Sequence, residues 1–397
     1  QTRPRLPRRA RWGATMRKGM RRFIFAAAVL LALPAHAAQW EKAVDASGFT
    51  GTRPLLCAFQ AKLYAMLMHG TTNPAPIIVW DASANTVSSA TGRTVTNFNE
   101  VIGMGCDAVN SRLYVSGRGR HVEHATFGSL GTWTSDIDAS VAAQAYGAID
   151  RFSTGWALGS TADLSTDTFS LVFTTDFSSS SGPSLNAASG FANHEETGCL
   201  VADVTGTAND IYVGAAIDAT LAAAGKVMAL GIDGAGNSRW TPNCGTGVGC
   251  ENGSSAHLLR QCFTNGTLAV TLAYNTSTGA TYATGWASNG TRTISQTLSS
   301  TDLRTGFYFN LDGSGAALWA WTAAGVAYKS TGGNFSDATG TTYDISIDGG
   351  DTLSGCQLVN GTIPVCLTTG GDVWAFRTPI NVRYIGGGSI TGTGPIH

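Results

Sequence analysis

The sequence has few charged residues, very few glutamates and almost no helical periodicity. Charged residues make up 13% of the 397 residues, and only six are Glu. Beyond residue 37, apolar residues rarely recur at the i, i+3, i+4 spacing of an amphipathic helix. No apolar run approaches the roughly 20 residues that a helix needs to cross a bilayer. These absences argue against a helical domain and against a protein anchored by spanning helices after residue 37.

The first 37 residues differ from the rest. Met16 is followed by four basic residues, the apolar run Phe23–Leu33 and a small-residue site that ends at Ala37. This order is typical of a secretory signal peptide, which we place at residues 16–37. Residues 1–15 are then interpreted as upstream read-through. The protein is expected to be secreted or periplasmic, with no membrane span after cleavage.

Charge separates the leader from the remainder. Nine of the 25 Lys and Arg lie in residues 1–37 and no Asp or Glu does, which leaves 16 basic and 26 acidic residues and a net charge of −10. A mildly acidic surface rich in Ser, Thr and Gly does not favour capture of nucleic acid or anionic lipid. The sequence therefore predicts no nucleic-acid partner.

All eight cysteines follow the leader, as expected for an oxidising compartment. Cys244 and Cys250 bracket a Gly-rich loop and are predicted to bridge it. Cys356 and Cys366 flank an Asn-Gly turn and are predicted to form a cross-strand disulfide. No C-x-x-C pair supports zinc. The pairing of the other four stays open: Cys57, Cys106, Cys199 and Cys262.

A repeat of about 40 to 60 residues runs through the chain after the leader. Each unit begins with an opening residue, usually Cys, followed by a turn and a short aromatic or β-branched strand. Third strands also align, among them Ile77–Trp80, Phe169–Phe173 and Asp372–Phe376. The openers are 42 to 63 residues apart: Cys57, Cys106, Ala148, Cys199, Cys262, Phe307 and Cys356.

Seven units of this length fit four strands each. A single four-stranded sheet is marginal alone, whereas sheets packed radially bury both faces. We therefore predict an all-β, seven-bladed β-propeller over residues 38–385, followed by a Gly-rich tail at 386–397. Residues 38–46 are expected to supply the fourth strand of the last blade and so to close the ring.

The segment Gly325–Phe335 resembles the Asp-box repeat of sialidase-type propellers. It keeps Ser330 and Gly333 of that repeat, but has Gly332 near the Asp position and Phe335 near the Trp position. The resemblance implies a propeller of degenerate Asp-box blades. It implies nothing definite about chemistry, because one fold hosts many functions.

The densest polar cluster is the segment Arg118–His124. On a strand His121 and Glu123 share one face, while His124 points away. That face could hold a base oriented by a carboxylate or half of a metal site. The alternative is a solvated turn and edge strand. We take His121 and Glu123 as catalytic candidates, and Arg118, Arg120 and His121 as binding candidates.

Two connecting segments add further candidates. His194, Glu195 and Glu196 precede the unit that opens at Cys199, and paired carboxylates are typical of glycoside hydrolases. Here Glu195 is a catalytic candidate, and His194 and Glu196 are binding candidates. Asn252 lies in the long segment 241–256, where a stapled loop could serve recognition or merely stay folded.

Calcium is the one cofactor that the sequence leaves open. Carboxylates lie close together on predicted turns, where oxygen ligands gather easily. However, no run has the calcium-loop pattern, and Asp in turns often bonds its own backbone. The carboxylates concerned are Asp136, Asp138, Asp163, Asp167, Asp348 and Asp351.

These observations favour an exported, monomeric, non-catalytic propeller that binds a protein or glycan through loops on one face. An enzyme acting on extracellular polysaccharide, similar to a sialidase, is the first alternative. A structural component of a cell-surface assembly is the second, suggested by the low charge and the abundance of Ser, Thr and Gly.

Overall fold

The computed structural model describes most of the chain after residue 38 as β-strands joined by short turns. The described residues are 39–44, 54–67, 75–83, 86–93, 101–152, 155–163, 168–177, 184–186, 199–202, 211–216, 227–233, 237–240, 243, 246, 248–250, 256–264, 268–298, 300–331, 334–337 and 343–377. Within them, no helix has the length and apolarity needed to cross a membrane.

The described residues form 26 strands. The first nine are β1 (Gln39–Val44), β2 (Pro54–Phe59), β3 (Lys62–Leu67), β4 (Ala75–Asp81), β5 (Thr86–Arg93), β6 (Val101–Asp107), β7 (Arg112–Thr126), β8 (Ser129–Phe152) and β9 (Gly155–Asp163). The next nine are β10 (Thr168–Thr174), β11 (Ser184–Asn186), β12 (Cys199–Ala202), β13 (Ile211–Ala216), β14 (Val227–Ile232), β15 (Ser238–Trp240), β16 (His257–Thr264), β17 (Ala269–Asn275) and β18 (Ala280–Trp286). The last eight are β19 (Arg292–Leu298), β20 (Leu303–Phe309), β21 (Ala317–Thr322), β22 (Ala327–Thr331), β23 (Asn334–Asp337), β24 (Leu353–Val359), β25 (Ile363–Thr368) and β26 (Val373–Arg377).

The strands assemble mainly as antiparallel four-stranded meanders, in which each strand pairs with the next in sequence. Three sheets have four strands: β2-β3-β4-β5, β12-β13-β14-β15 and β1-β26-β25-β24. Strands β16 to β23 form an eight-stranded sheet whose two halves meet through one parallel pair, Thr297 with Asn334. Strands β6 to β11 form a six-stranded sheet. The predicted third strands Ile77–Trp80, Phe169–Phe173 and Asp372–Phe376 correspond to β4, β10 and β26.

Strand β7 folds back on itself. The backbone amide of Phe127 donates to the carbonyl of Ser111, although these residues flank opposite ends of the 15-residue strand. A straight strand of that length would separate them by roughly 45 Å at its usual rise per residue. The reversal lies near Gly119, which has a φ of 84° and irregular pairing on both sides. The second half of β7 therefore lies beside the first.

Strand β8 serves two neighbouring parts of the six-stranded sheet. Its first half pairs with the second half of β7, and its second half pairs with β9. The sequence predicted that a repeat unit opens at Ala148. The structure places Ala148 inside a single strand of 24 residues that begins at Ser129.

The N-terminal strand β1 is the outer strand of the sheet formed by β24, β25 and β26. It pairs antiparallel with β26, from Gln39 opposite Arg377 to Val44 opposite Val373. The ammonium group of Lys42 contacts the carboxylates of Asp348 at 2.6 Å and Asp372 at 2.8 Å. The hydrogen bonds that Lys42 donates to those two carboxylates raise its pKa above the ordinary value.

Hydrophobic cores lie between neighbouring sheets. One cluster joins Tyr64 and Val79 of the first sheet to Leu113 and Ala125 of the six-stranded sheet. Another joins Trp80 of the first sheet to strands β24 to β26 of the last sheet. The first sheet therefore buries both faces, which explains why successive residues of its strands, and not only every second one, are apolar.

Two disulfides are described in full. Cys356 and Cys366 face each other across β24 and β25, as predicted. Cys57 of β2 and Cys106 of β6 join two strands of different sheets, with their Cα atoms 5.7 Å apart. Cys250 and Cys262 each take part in a disulfide as well. The side chain of Cys199 and the whole of Cys244 lie outside the described part of the chain.

Candidate functional site: the central cavity

The innermost strands of the sheets surround a cavity of about 570 Å³. Its walls come from β2, β6, the end of β8, β16, β20 and β24, which we call the inner strands. Each of these strands opens a predicted repeat unit. The volume lies within the range of ordinary ligand pockets. The cavity is therefore large enough to hold a ligand.

Two arginines and one aspartate form an ion-paired cluster at this wall. Arg260 of β16 donates to Asp302 through Nε at 3.0 Å and Nη2 at 2.6 Å. Arg304 of β20 contacts the same carboxylate through Nε at 3.0 Å. Burial lowers the pKa of Arg260, and Asp302 opposes this effect. A buried cation that shares its counterion with a second cation leaves positive charge at the wall.

A side-chain amide links three inner strands beside this cluster. Gln261 Oε1 accepts hydrogen bonds from Thr305 Oγ1 at 2.6 Å and from the Gly306 amide at 2.9 Å. Gln261 Nε2 donates to the Cys356 carbonyl at 3.2 Å. Thr305 Oγ1 in turn accepts from the Cys356 amide at 2.8 Å. The network ties β16, β20 and β24 together beside the cavity.

Replacing Gln261 with methionine is expected to lower the free energy of unfolding by about 2 kcal/mol. Methionine has a similar shape, but the Thr305 hydroxyl, the Gly306 amide and the Cys356 carbonyl lose their hydrogen-bond partner. Urea denaturation monitored by tryptophan fluorescence measures this change. The matched control is Gln357→Met on β24, which lines the same cavity and is expected to change stability by less than about 0.5 kcal/mol. Equal losses in both variants would show that the amide network does not stabilise the inner strands.

Comparison with solved structures decides the fold. No protein-family model and no curated protein sequence matches this chain. The WD40 β-propeller domain of Doa1 is 6% identical, with a TM-score of 0.53, and covers 85% of this chain and 96% of its own. The β-propeller domain of Myceliophteria thermophila Cps50 (Swd1) is 10% identical, with a TM-score of 0.52 and coverage of 84% and 99%. The fold is a β-propeller.

A third propeller-like neighbour was solved with a peptide. The structure of YCF48 bound to D1 peptide is 12% identical to this chain, with a TM-score of 0.50, and covers 87% of this chain and 99% of its own. At these identities the likeness concerns the fold alone. Activity and ligands must therefore be argued from the residues of this propeller.

The predicted pair His121 and Glu123 is buried inside the propeller. Both residues are on the second half of β7, and both are buried, with 3% and 6% of their surface exposed. Ala125, two residues further on, belongs to the core shared with the first sheet. The alternative of a solvated turn is therefore wrong for this segment. Neither His121 nor Glu123 is among the residues that line the described cavity.

The opposite face of the same strand holds a polar pair that the sequence did not single out as a pair. His124 Nδ1 lies 2.6 Å from Asp136 Oδ2, and both side chains are nearly buried. The centroid of the Tyr114 ring lies 5.2 Å from that of the imidazole, and the Tyr114 hydroxyl accepts a hydrogen bond from Arg112 at 3.3 Å. Burial raises the pKa of Asp136 and of Tyr114. Alternation along the strand could have indicated His124, but its partner is 12 residues away.

Several predicted residues lie outside what the structure describes. Residues His194, Glu195, Glu196 and Asn252 do so completely, and the side chains of Arg118 and Arg120 do so within β7. The functional residues missed by sequence analysis are Arg260, Asp302 and Arg304.

The carboxylates considered for calcium have other partners where they are described. Asp136 contacts His124, and Asp348 contacts Lys42. Asp351 accepts hydrogen bonds from the backbone amides of Thr352 and Gly370. Over the described ranges, no group of three or more His, Cys, Asp or Glu is placed to hold a metal ion. The remaining candidates, Asp138, Asp163 and Asp167, have no described side chain.

The described part of the stapled segment 241–256 packs tightly. Cys250 is 1% exposed, and the Gly249 amide donates to the Gly290 carbonyl at 2.8 Å. Gly249 has a φ of 57°, and a Cβ there would lie 2.7 Å from Trp240 Nε1. Only glycine fits this position without strain. This part of the segment therefore stabilises the fold.

Proposed function

We propose that this chain is an exported, non-catalytic propeller that binds a peptide segment of a protein at the mouth of its central cavity. The observation that carries the proposal is the cavity itself, walled by inner strands and lined by Arg260 and Arg304. Rigid strands around a concave site suit binding, because the walls lose little conformational freedom when a ligand enters. The structure of YCF48 bound to D1 peptide has a similar fold and includes a peptide.

The proposal includes a closed ring of seven four-stranded blades. Contacts between successive opening strands support it: β2 contacts β6, β6 contacts β8, β8 contacts β12, and the series continues through β16, β20 and β24 back to β2. The reversal in β7 and the double role of β8 supply the strands of the second and third blades. The pairing of β1 with β26 completes the seventh.

The position of the two arginines selects one face. Arg304 is the second residue of β20 and Arg260 is the fourth of the eight residues of β16, so both lie in the first half of their strands. In a ring of antiparallel blades, the connections that lead into successive inner strands all lie on the same face of the ring. Segments 187–198 and 241–256 are such connections. We propose that they contribute to this face, with His194, Glu196 and Asn252 as residues to test.

Selection from a peptide display library on the purified protein tests the proposal. Peptides should be enriched, and their affinity should fall at least tenfold in Gln357→Trp, because the indole fills space at the cavity wall. Arg292→Trp is the matched control, since Arg292 is exposed on β19 and does not line the cavity. Binding that is unchanged in Gln357→Trp would place the interaction elsewhere and contradict the proposal.

An enzyme acting on extracellular polysaccharide is a second candidate, favoured by the buried Glu123 and the 2.6 Å contact between His124 and Asp136. The sialidase-type Asp-box resemblance of residues 325–335 is part of this candidate. Ser330 Oγ accepts a hydrogen bond from the Leu318 amide at 3.1 Å, which gives that serine a structural role within the repeat. Turnover of chromogenic glycosides that is lost in Glu123→Gln, and in Glu195→Gln, would favour catalysis over binding.

A further inference from the structure

The cluster at the cavity wall has an asymmetric arrangement. Arg260 and Arg304 are among the residues that line the cavity, whereas Asp302 is not. The Asp302 carboxylate contacts both cations, at 2.6 Å and 3.0 Å. A carboxylate shared in this way fixes the direction of both guanidinium groups.

The charges on the described lining favour an anion at this point. Its charged side chains are Asp150, Arg260 and Arg304. Asp150 is on β8 and accepts a hydrogen bond from the Arg151 amide at 2.8 Å, while the two arginines are on neighbouring strands and act together. The side chain of Arg304 is 41% exposed, and its Nε lies 3.0 Å from Asp302 Oδ2. Guanidinium groups bind carboxylates through paired donors, and an exposed arginine at a cavity can offer them to a planar anion.

The rest of the lining indicates what the anion is attached to. Leu56, Met104, Phe263 and Leu358 are also lining residues, and the side chains of Leu56, Met104 and Phe263 pack in hydrophobic clusters between sheets. The cavity is far larger than a bare carboxylate, so a ligand that fills it carries a further group beside its charge, and an apolar group there would lie next to these clusters. The C-terminal residue of a peptide with an apolar side chain combines both features in one unit.

We propose that the cavity binds the terminal carboxylate of a peptide that ends in an apolar residue, with Arg304 contacting the carboxylate and Arg260 and Asp302 orienting it. This inference rests on the proposed function and specifies its ligand. Arg304 is the binding residue, and Asp302 is a positioning residue. A carboxylate on a uronic acid sugar offers the same anion without the apolar side chain.

Isothermal titration of the purified protein with acetyl-Ala-Ala-Leu tests the assignment, with the peptide as free acid and as C-terminal amide. The free acid should bind at least tenfold more tightly than the amide. Arg304→Met should reduce free-acid affinity at least tenfold, and Arg304→Lys should lie between, because lysine keeps the charge but not the paired donors. Arg292→Met should match the wild type. Equal melting temperatures confirm that each variant is folded.

The outcomes separate this inference from the broader proposal. Equal binding of acid and amide, or unchanged binding in Arg304→Met, would overturn the carboxylate assignment while library peptides could still bind at the cavity. Binding of glucuronate but not of the free-acid peptide would overturn the peptide assignment. Absence of binding by the free-acid peptide and by every library peptide with a free C-terminus would also overturn it.

Discussion

Replacing Trp40 with alanine is expected to lower the free energy of unfolding by about 4 kcal/mol, at the upper end of large-to-small core substitutions. Trp40 is on β1 and is 7% exposed. Its indole packs edge-on against Trp321, with ring centroids 5.6 Å apart, and against Phe376 at 5.5 Å. Its Nε1 donates to the Tyr343 carbonyl at 2.9 Å. One side chain thus attaches the N-terminal strand to three separate parts of the chain.

Urea denaturation of wild type, Trp40→Ala and Trp40→Phe measures this effect. Phenylalanine keeps much of the packing but loses the hydrogen bond, so its loss should be about half as large. Glu41→Ala is the control on the neighbouring position of β1, where the side chain is half-buried, and it is expected to change stability by about 0.5 kcal/mol or less. A loss below about 1 kcal/mol in Trp40→Ala would mean that β1 contributes little to the stability of the fold.

Removing the disulfide between Cys57 and Cys106 is expected to cost about 4 kcal/mol. The bridge closes a loop of 49 residues, and the chain-entropy relation gives a larger stabilisation for longer loops. The bridge also joins β2 and β6, two inner strands of different sheets. Removing the bridge gives the unfolded chain more conformational freedom and also removes a link between two sheets of the folded protein. Both effects lower the free energy of unfolding.

The second described disulfide provides a matched comparison. Cys356 and Cys366 are separated by 10 residues, so the same relation predicts a cost of about 3 kcal/mol. The double variants C57A/C106A and C356A/C366A should be compared by urea denaturation under non-reducing conditions. A larger loss in C356A/C366A would contradict the expectation that loop length governs the difference.

Local sequence patterns predicted most of the strands, because a strand is defined by residues that are adjacent in the chain. The apolar run Ile77–Trp80 lies wholly within β4, and the Asn-Gly turn correctly indicated the disulfide between Cys356 and Cys366. Alternation also placed His121 and Glu123 on one face. It did not predict their burial, which depends on the reversal near Gly119 and on packing against another sheet.

The candidate site could not be predicted in the same way. Arg260 and Asp302 are 42 residues apart, and they meet because two inner strands run side by side. Gln261, Thr305 and Cys356 belong to three such strands. No short motif carries these contacts, since each strand supplies one or two residues at its own position. Only the arrangement of the sheets around the cavity brings them together.

The pairing of β1 with β26 has a consequence for folding during synthesis. Trp40 precedes its strand partner Phe376 by more than 300 residues in the chain. While the chain is being made, the indole cannot form this contact until β26 has been synthesised. Whenever the last sheet forms without β1, the unpaired edge of β26 can pair wrongly, and a chaperone would have to protect it.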